Sequence, residues 1–425
     1  MEKQILESKR LGERYIRVAH PSGLTILLYP MPEFSTVQAM FAANYGSVDN
    51  CFKTPDDPDF VQVPDGIAHF LEHKLFESED GDAFTLFAAT GADANAYTSF
   101  DKTCYYFSCS DKFEESLSAL LGFVQTPYFT QETVEKEQGI IGQEIRMYDD
   151  SPSWQVMVGL LQCLYHRNPV RVDIAGTAES IAQIDAALLH RCYRAFYNLS
   201  NMTLAIAGNF DPDRTLELIE SSLKPGKPAK VACAPYDEPD SLASKRAERR
   251  MEVSLPLFYF GCKLRPEENA AGFLRQQYEL EILLDLLGGS TSDFYEEMVR
   301  EGLLNNGFSS EVFAGRGFLS LICGGESRDP DRVMNRFLEV LAAAQQNGLS
   351  EEDFLSCKNA FYGRMVRALN NVDNTASALL GSEMSGLGLF DSVELLADVT
   401  LEGVTARLAG LSTDSFALSL VLSQG

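Results

Sequence analysis

The chain has 425 residues, of which 45% are hydrophobic and 23% are charged, and its formal net charge is -26 at pH 7. This length exceeds what one ordinary core needs, so we expect a globular protein with two or more domains. A strongly acidic surface repels phosphate, which argues against nucleic acid and anionic membranes as partners, although the same acidity serves solubility equally well.

Nine cysteines are scattered along the chain without a C-x-x-C pair. This pattern fits free thiols in a reducing compartment better than a disulfide framework or a thiolate metal site. The N-terminal stretch MEKQILESKRLGERYIRVAH lacks the apolar run of a signal peptide, and no apolar segment of about 18 residues follows it. We therefore expect a cytoplasmic protein with no membrane partner.

Hydrophobic periodicity predicts the elements of the first half in chain order. Asp65 is the candidate N-cap of the first helix, which the pattern places from Ile67 to Phe76. The predicted strands lie at 23–31, 37–50, 91–110 and 201–212, and the predicted helices at 67–76, 112–124, from 130 onward, 188–197 and 213–223.

The segment 224–250 is rich in proline and basic residues, and it is the best linker candidate in the chain. After it the pattern restarts, with a strand at 253–264, helices at 274–289 and 294–304, and strands at 308–315 and 317–325. The sequence thus predicts an N-terminal domain at 1–223, a linker at 224–250 and a C-terminal domain at 251–425. The repeated order suggests a duplication, although the halves share no motif residue for residue.

Two of the five histidines in the chain stand in GIAHFLEHKLFE, at positions 69 and 73. Residues four apart lie on one face of a helix, so His69 and His73 can direct their imidazoles to a single point and clamp a divalent ion. Glu72 borders the same face and can reach a water on that ion. The alternative is that both histidines are ordinary polar residues of an amphipathic helix.

A third ligand has to come from elsewhere, because a catalytic zinc usually keeps three protein ligands and one water. The segment TQETVEKEQGIIGQEIRMYDD offers Glu137 and Glu144, which two helical turns return to nearly the same face. One can bind the metal while the other stands behind it. The alternative is that both carboxylates face solvent.

The motif HFLEH, followed by EKEQGIIGQE, resembles the pitrilysin/insulinase family of zinc metallopeptidases, the inverzincins. NYGSVDN, ANAYTSFDKTCYYF, GTAESI and FYNLSNMTLAIAGNFDP agree with that family's pattern. The resemblance implies one Zn²⁺ per chain with His69, His73 and Glu144 as ligands. It also implies Glu72 as the general base and Glu137 as an accessory carboxylate.

The resemblance further implies that a strand at ANAY holds an extended peptide, so Asn95 and Ala96 are expected substrate contacts. Family members often place an arginine and then a tyrosine in the second domain to reach the substrate carbonyl. MVREGLLNNGF offers Arg300 but has Phe308 where a tyrosine is expected. Arg300 is therefore a weak substrate-binding candidate, with a surface role as the alternative.

The fold implied by the resemblance is α+β, with two homologous mixed α/β-roll domains of the mitochondrial-processing-peptidase/LuxS-like metallohydrolase type. Each domain is a largely antiparallel sheet packed with helices. A closed chamber in this family needs two such pairs of domains, so we expect a homodimer or a heterodimer with a related subunit. The segments HKLFE and TVEKEQGIIGQEIRMYDD are most similar to members of a small bacterial branch of the family. That branch is associated with the 5-aminopentanol modification of elongation factor P.

The function implied is zinc-dependent hydrolysis of peptides or small proteins by an endopeptidase. Its rival is a processing or assembly subunit of a heterodimeric complex with little general peptidase activity. An intact Glu72 argues against a purely structural zinc, because such a site has no use for a base.

Overall fold

The computed structural model describes residues 2–79, 81–226 and 228–424. The strands are β1 Glu2–Ser8, β2 Glu13–Ala19, β3 Thr25–Pro30, β4 Val37–Ala43, β5 Cys51–Lys53, β6 Val61–Gln62, β7 Glu77–Ser78, β8 Gly81–Asp82, β9 Asp93–Thr98, β10 Thr103–Cys109, β11 Met202–Gly208, β12 Ala232–Cys233, β13 Arg246–Met251, β14 Leu257–Lys263, β15 Ser309–Gly315, β16 Phe318–Glu326 and β17 Ala417–Ser423. The α-helices are α1 Ile67–Leu75, α2 Phe84–Thr90, α3 Phe113–Val124, α4 Gln131–Asp149, α5 Pro152–Leu164, α6 Ala178–Ile181, α7 Ala186–Phe196, α8 Pro212–Ser222, α9 Ala270–Gly288, α10 Asp293–Arg300, α11 Pro330–Asn347, α12 Glu351–Ala368, α13 Val372–Met384, α14 Leu389–Ala397 and α15 Leu401–Gly410.

The first sheet has seven strands in the order β1-β2-β3-β11-β4-β10-β9. Only the β3–β11 pair is parallel in this sheet; the other neighbours are antiparallel. Every residue of β4 and β11 is buried, as expected for central strands that helices cover on both faces. Both strands accordingly consist almost entirely of apolar residues.

The second sheet repeats the order of five strands of the first, β3-β11-β4-β10-β9. Its order is β13-β17-β14-β16-β15, with β13 and β17 parallel and the remaining pairs antiparallel. Within each set of five, the strand that comes first in the sequence lies parallel to the one that comes last, and the last lies next to the second. This shared order and direction is what a duplication produces, and it agrees with the predicted α+β class of largely antiparallel sheets packed with helices.

The chain forms two compact units, and each takes one helix-bearing segment from the other half of the sequence. The first unit contains Met1–Ile145, Asp173–Pro235 and Val366–Ser392, and the second contains Arg146–Val172, Tyr236–Met365 and Val393–Gly425. Thus α13 packs on β11 and β4 in the first unit, whereas α5 packs on β17 and β14 in the second. The division of the sequence at 1–223, 224–250 and 251–425 stays a prediction.

The apolar core of the first unit lies on both faces of its sheet. One side holds the large cluster that includes Phe41, Phe70 and Tyr105. The other side is where residues of α13, among them Leu379 and Leu380, pack on the sheet. Both faces are therefore covered, and α1 belongs to the side with the larger cluster.

One local prediction was wrong. Asp65 does not cap α1, because Gly66 is the N-cap residue and no side chain accepts a hydrogen bond there. Asp65 Oδ1 instead accepts a hydrogen bond of 2.6 Å from Asn50 Nδ2. The pattern also gave no indication of the β1–β2 hairpin, in which β1 is largely exposed and carries charged residues at Glu2, Lys3 and Glu7.

Among the described residues, no helix combines the length and apolar character needed to span a bilayer.

Candidate metal centre and catalytic site

Helix α1 carries both histidines of the motif, and its start is fixed by a glycine. Gly66 has φ of 89°, and a Cβ at this position would lie 2.4 Å from the Ala175 carbonyl oxygen. Phe70 and Leu71 are fully buried on the same helix. The helix is therefore held along its length, so the histidines between these anchors have a defined direction.

Three side chains converge at one point. His69 Nε2 lies 3.6 Å from Glu144 Oε1, and His73 Nε2 lies 3.4 Å from Glu144 Oε2. One donor atom from each of the three residues lies within 4.8 Å of the others. Helix α4 supplies Glu144, so two helices that are distant in sequence build the cluster.

The donor set fits a zinc ion in its chemistry. Two imidazole nitrogens and one carboxylate are a usual three-residue set at catalytic zinc sites. Burial, together with the charge of His73, lowers the pKa of His69 to about 3, so this ring is neutral and its nitrogen lone pair is available. Its other nitrogen, Nδ1, is buried and has no hydrogen-bond partner among the described residues.

Glu137 stands behind the cluster. Its Oε1 lies 3.0 Å from His73 Nδ1, the nitrogen turned away from Glu144. Burial acts to lower the pKa of His73, but the hydrogen bond to Glu137 and the neighbouring carboxylates outweigh it and the pKa is raised. A carboxylate that accepts the Nδ1 proton fixes the tautomer and leaves Nε2 free to bind a metal.

Glu72 is buried next to this cluster and lines the adjoining cleft. Burial raises the pKa of the Glu72 carboxyl, against the lowering effect of a hydrogen bond from Thr98. A carboxylate with a raised pKa holds a proton more readily near neutral pH, which suits a general base.

The cleft beside the cluster has a volume of about 630 Å³ and is also lined by His73, Glu137, Asn95 and Ala96. Both Asn95 and Ala96 belong to β9, which pairs with β10 and, among residues 2–79, 81–226 and 228–424, is the edge strand of the sheet. The Ala96 N–H donates to Asn95 Oδ1 at 2.8 Å. A larger cavity of about 860 Å³ lies along the β1–β2 hairpin and contains none of the predicted site residues.

Arg300 is not part of this cluster. It ends α10 in the second unit and is exposed. Phe308 lies in the same unit, where its ring packs near Phe258, Phe294 and Tyr295. The structure thus brings His69, His73, Glu144, Glu137, Glu72, Asn95 and Ala96 together within the first unit and leaves Arg300 in the second.

The sequence gave no indication that Thr98 contacts Glu72. Thr98 Oγ1 donates to Glu72 Oε2 at 2.6 Å. The period of two along a strand places Thr98 on the same face as Ala96. That alternation was the available signal, but it does not say which residue of α1 the hydroxyl meets.

Known proteins resemble this chain over nearly its whole length. The family model described as Insulinase (Peptidase family M16) matches residues 62–178, and the model described as Peptidase M16 inactive domain matches residues 183–361. YmfH of Bacillus subtilis (strain 168), named an uncharacterized zinc protease, is 38% identical over 404 residues, 94% of each chain.

Solved structures agree. The crystal structure of an M16-like peptidase from Alicyclobacillus acidocaldarius is 35% identical and superposes with a TM-score of 0.93, covering 100% of this chain and 99% of that one. The periplasmic protease PqqL from Escherichia coli has the same fold at 18% identity and a TM-score of 0.74, and the match covers 99% of this chain but 48% of that one. The predicted fold of two homologous mixed α/β domains is confirmed.

Proposed function

Because the chain belongs to the insulinase (M16) family of peptidases, we propose that it is a zinc-dependent endopeptidase with His69, His73 and Glu144 as the metal ligands. The observation that carries this proposal is the convergence of these three side chains, with one donor atom from each within 4.8 Å of the others. The zinc protease names of the relatives support the choice of metal. One ion per chain is expected.

The chain's own residues have separable tasks in hydrolysis. When bound, zinc polarises the substrate carbonyl and lowers the pKa of a coordinated water. Glu72 Oε2 is held by Thr98, so Glu72 Oε1 takes the proton from the attacking water. It then delivers that proton to the nitrogen of the leaving amine. Glu137 keeps the proton of His73 on Nδ1 throughout.

The substrate is a peptide that lies along the cleft in an extended form. The exposed edge of β9 can pair with it through backbone hydrogen bonds, with Asn95 and Ala96 at the contact. The Ala96 N–H now donates to the Asn95 side chain, and a substrate carbonyl would replace that acceptor. Arg300 remains a weak proposal for a second contact.

The deciding experiment is Glu72→Gln, which keeps the shape of the side chain and removes the base. We expect hydrolysis of a mixed peptide library to fall by at least about a hundredfold, with zinc still bound in elemental analysis. Glu135→Gln is the matched control, because it makes the same change at an exposed position of α4 and should leave hydrolysis intact. A fully active Glu72→Gln variant would contradict the proposed mechanism.

A second candidate function has its own support. The match of residues 183–361 to the family model described as an inactive domain favours a processing or assembly subunit of a heterodimeric complex. Such a subunit would bind zinc yet leave the peptide library intact, and would act only on one partner protein. Association with the modification of elongation factor P is a prediction of this kind, tested by incubating the two proteins together and reading the mass of the factor.

We also propose a homodimer or a heterodimer with a related subunit. The support is that this chain matches about half of the longer PqqL chain, 48% of it, so two copies are needed to equal that length. Native mass spectrometry tests this, and an efficient monomeric peptidase would contradict it. A cytoplasmic location is supported by the nine cysteines, which are scattered along the chain without a C-x-x-C pair, and fractionation of cells tests it.

A further inference from the structure

We propose that Thr98 is a positioning residue, which orients the Glu72 carboxylate so that one oxygen faces the cleft and the other is fixed. This inference rests on the proposed function for Glu72. It concerns a residue on a different element from the metal ligands, since Thr98 ends the edge strand β9. The same strand carries the two proposed peptide contacts.

The contact is short and directional. Thr98 Oγ1 donates to Glu72 Oε2 at 2.6 Å, within the range of hydroxyl donors to an ionised carboxylate. Glu72 is 8% exposed, so water cannot easily replace this donor. Because one oxygen is occupied by Thr98, the remaining oxygen is the one that can exchange a proton with a reactant.

The neighbouring hydroxyl of Thr103 does not supply the proton for Glu72. Thr103 lies opposite Thr98 in the β9–β10 pair, with their Oγ1 atoms 3.3 Å apart. The Thr103 hydroxyl donates its only proton to the Tyr45 carbonyl oxygen at 2.9 Å. Thr98 is therefore the hydroxyl with a proton for Glu72, and the turn closed by Ser99 and Lys102 at 2.8 Å keeps the pair in place.

Without the hydroxyl of Thr98, Glu72 Oε2 would lose the side-chain donor that fixes it. The carboxylate would then turn more freely about its terminal torsion, so neither oxygen would be held toward the cleft. The metal ligands themselves would stay in place, because Glu144 contacts His69 and His73 rather than Thr98.

The test compares two substitutions at Thr98. Thr98→Val keeps the branched shape and removes the donor, and we expect kcat to fall by about tenfold to a hundredfold with KM and zinc content unchanged. Thr98→Ser keeps the hydroxyl, and kcat should return to within about threefold of the wild type, since the donor is restored. A kcat loss in Thr98→Ser as deep as in Thr98→Val would overturn the proposal.

The matched control is Thr103→Val, which removes a hydroxyl one residue pair away in the same hairpin. It should lower the unfolding temperature, because the buried Tyr45 carbonyl loses its donor, while kcat stays at the wild-type value. An equal loss of kcat in Thr103→Val would mean that damage to the hairpin, rather than loss of positioning, causes the effect.

A second readout does not depend on turnover. In crystal structures of the metal-free proteins, the Glu72 carboxylate should keep its contact in the wild type and in Thr98→Ser and should rotate in Thr98→Val. An unmoved carboxylate in Thr98→Val would overturn the proposal. If the wild type and Glu72→Gln both fail to cleave any peptide, the proposed function fails, and these structures still decide the role of Thr98.

Discussion

His73 uses both ring nitrogens, and they face different carboxylates. Nε2 lies 3.4 Å from Glu144, and Nδ1 lies 3.0 Å from Glu137. The first contact is the one that a metal ion would replace. The second would survive metal binding and hold the ring in place.

Removing Glu137 therefore tests the second contact. We expect Glu137→Ala to weaken zinc binding by about tenfold to a hundredfold, because His73 loses the acceptor that fixes its tautomer. Competition with a chelator of known affinity measures the change. Glu135→Ala, an exposed carboxylate on α4, is the control, and equal zinc affinity in both variants would contradict this role for Glu137.

At the scale of elements, helix α1 depends on how closely its N-cap residue approaches another segment. Gly66 has φ of 89°, and its missing Cβ would meet the Ala175 carbonyl oxygen. Gly91 has a similar φ of 75° but has nothing within 4 Å of a Cβ. The two glycines share the backbone conformation and differ in the space around them.

Gly66→Ala should cost more stability than Gly91→Ala. Both substitutions incur about 1 kcal/mol for a left-handed alanine, and only the first adds a steric clash, which brings it to about 3 kcal/mol. Urea unfolding of the metal-free proteins measures both. Equal losses would show that the contact between Gly66 and Ala175 is not needed.

A second element-scale feature joins the segment after α5 to strand β14. Glu238 accepts backbone N–H groups from His166, Arg167 and Asn168 at 2.7–2.9 Å and the Lys263 ammonium at 2.6 Å. Burial acts to raise the pKa of the Glu238 carboxyl, but these donors outweigh it and lower the pKa to about 2. The predicted linker thus contains an anchored residue.

The lowered pKa of Glu238 makes the stability of the fold depend on pH. Since the folded pKa lies below the ordinary value of 4.5, Glu238 stabilises the fold above that value, and this contribution is lost as the pH falls toward 2. Glu238→Gln should cost about 2 kcal/mol at pH 7 and little at pH 2. Thermal unfolding across this range measures it, and a pH-independent difference would refute the assignment.

At the scale of the whole molecule, the exchange of α5 and α13 makes each half of the sequence incomplete. Residues of α13 such as Leu379 and Leu380 cover one face of the first sheet, next to Leu27 and Met40. Without α13, that apolar face would meet water, at a cost of roughly 25 cal/mol per Å². A cut between the halves removes this cover.

Residues 1–235 produced alone should therefore bind a hydrophobic dye and unfold without a cooperative transition. Co-expression with residues 236–425 should restore a soluble complex, because α13 is then supplied in trans. Circular dichroism melts and size-exclusion chromatography measure both. A cooperative, dye-free fragment 1–235 would show that α13 is dispensable.

The sequence predicted local relations within helices better than the order of the strands. The histidines lie where the four-residue helical period places them, and α4 carries Glu137 and Glu144 on one face, because these relations are local to one helix. The segments 23–31, 37–50 and 201–212, predicted as strands, contain the observed strands β3, β4 and β11. Their order did not follow from the sequence, since β11 lies between β3 and β4 although it is distant from both in the chain.

The sequence by itself thus determined the spacing of the motif, the pattern of the elements and the resemblance to a peptidase family. Only the tertiary structure decided that Glu144 reaches both histidines, that Gly66 rather than Asp65 is the N-cap residue of α1, and that α13 covers the first sheet. It also decided that Thr98 contacts Glu72. The physical reason is the sequence separation over which each interaction acts. Periodicity and helix geometry act over a few residues, whereas a hydrogen bond between β9 and α1 or a helix packed from the other half depends on how the whole chain folds.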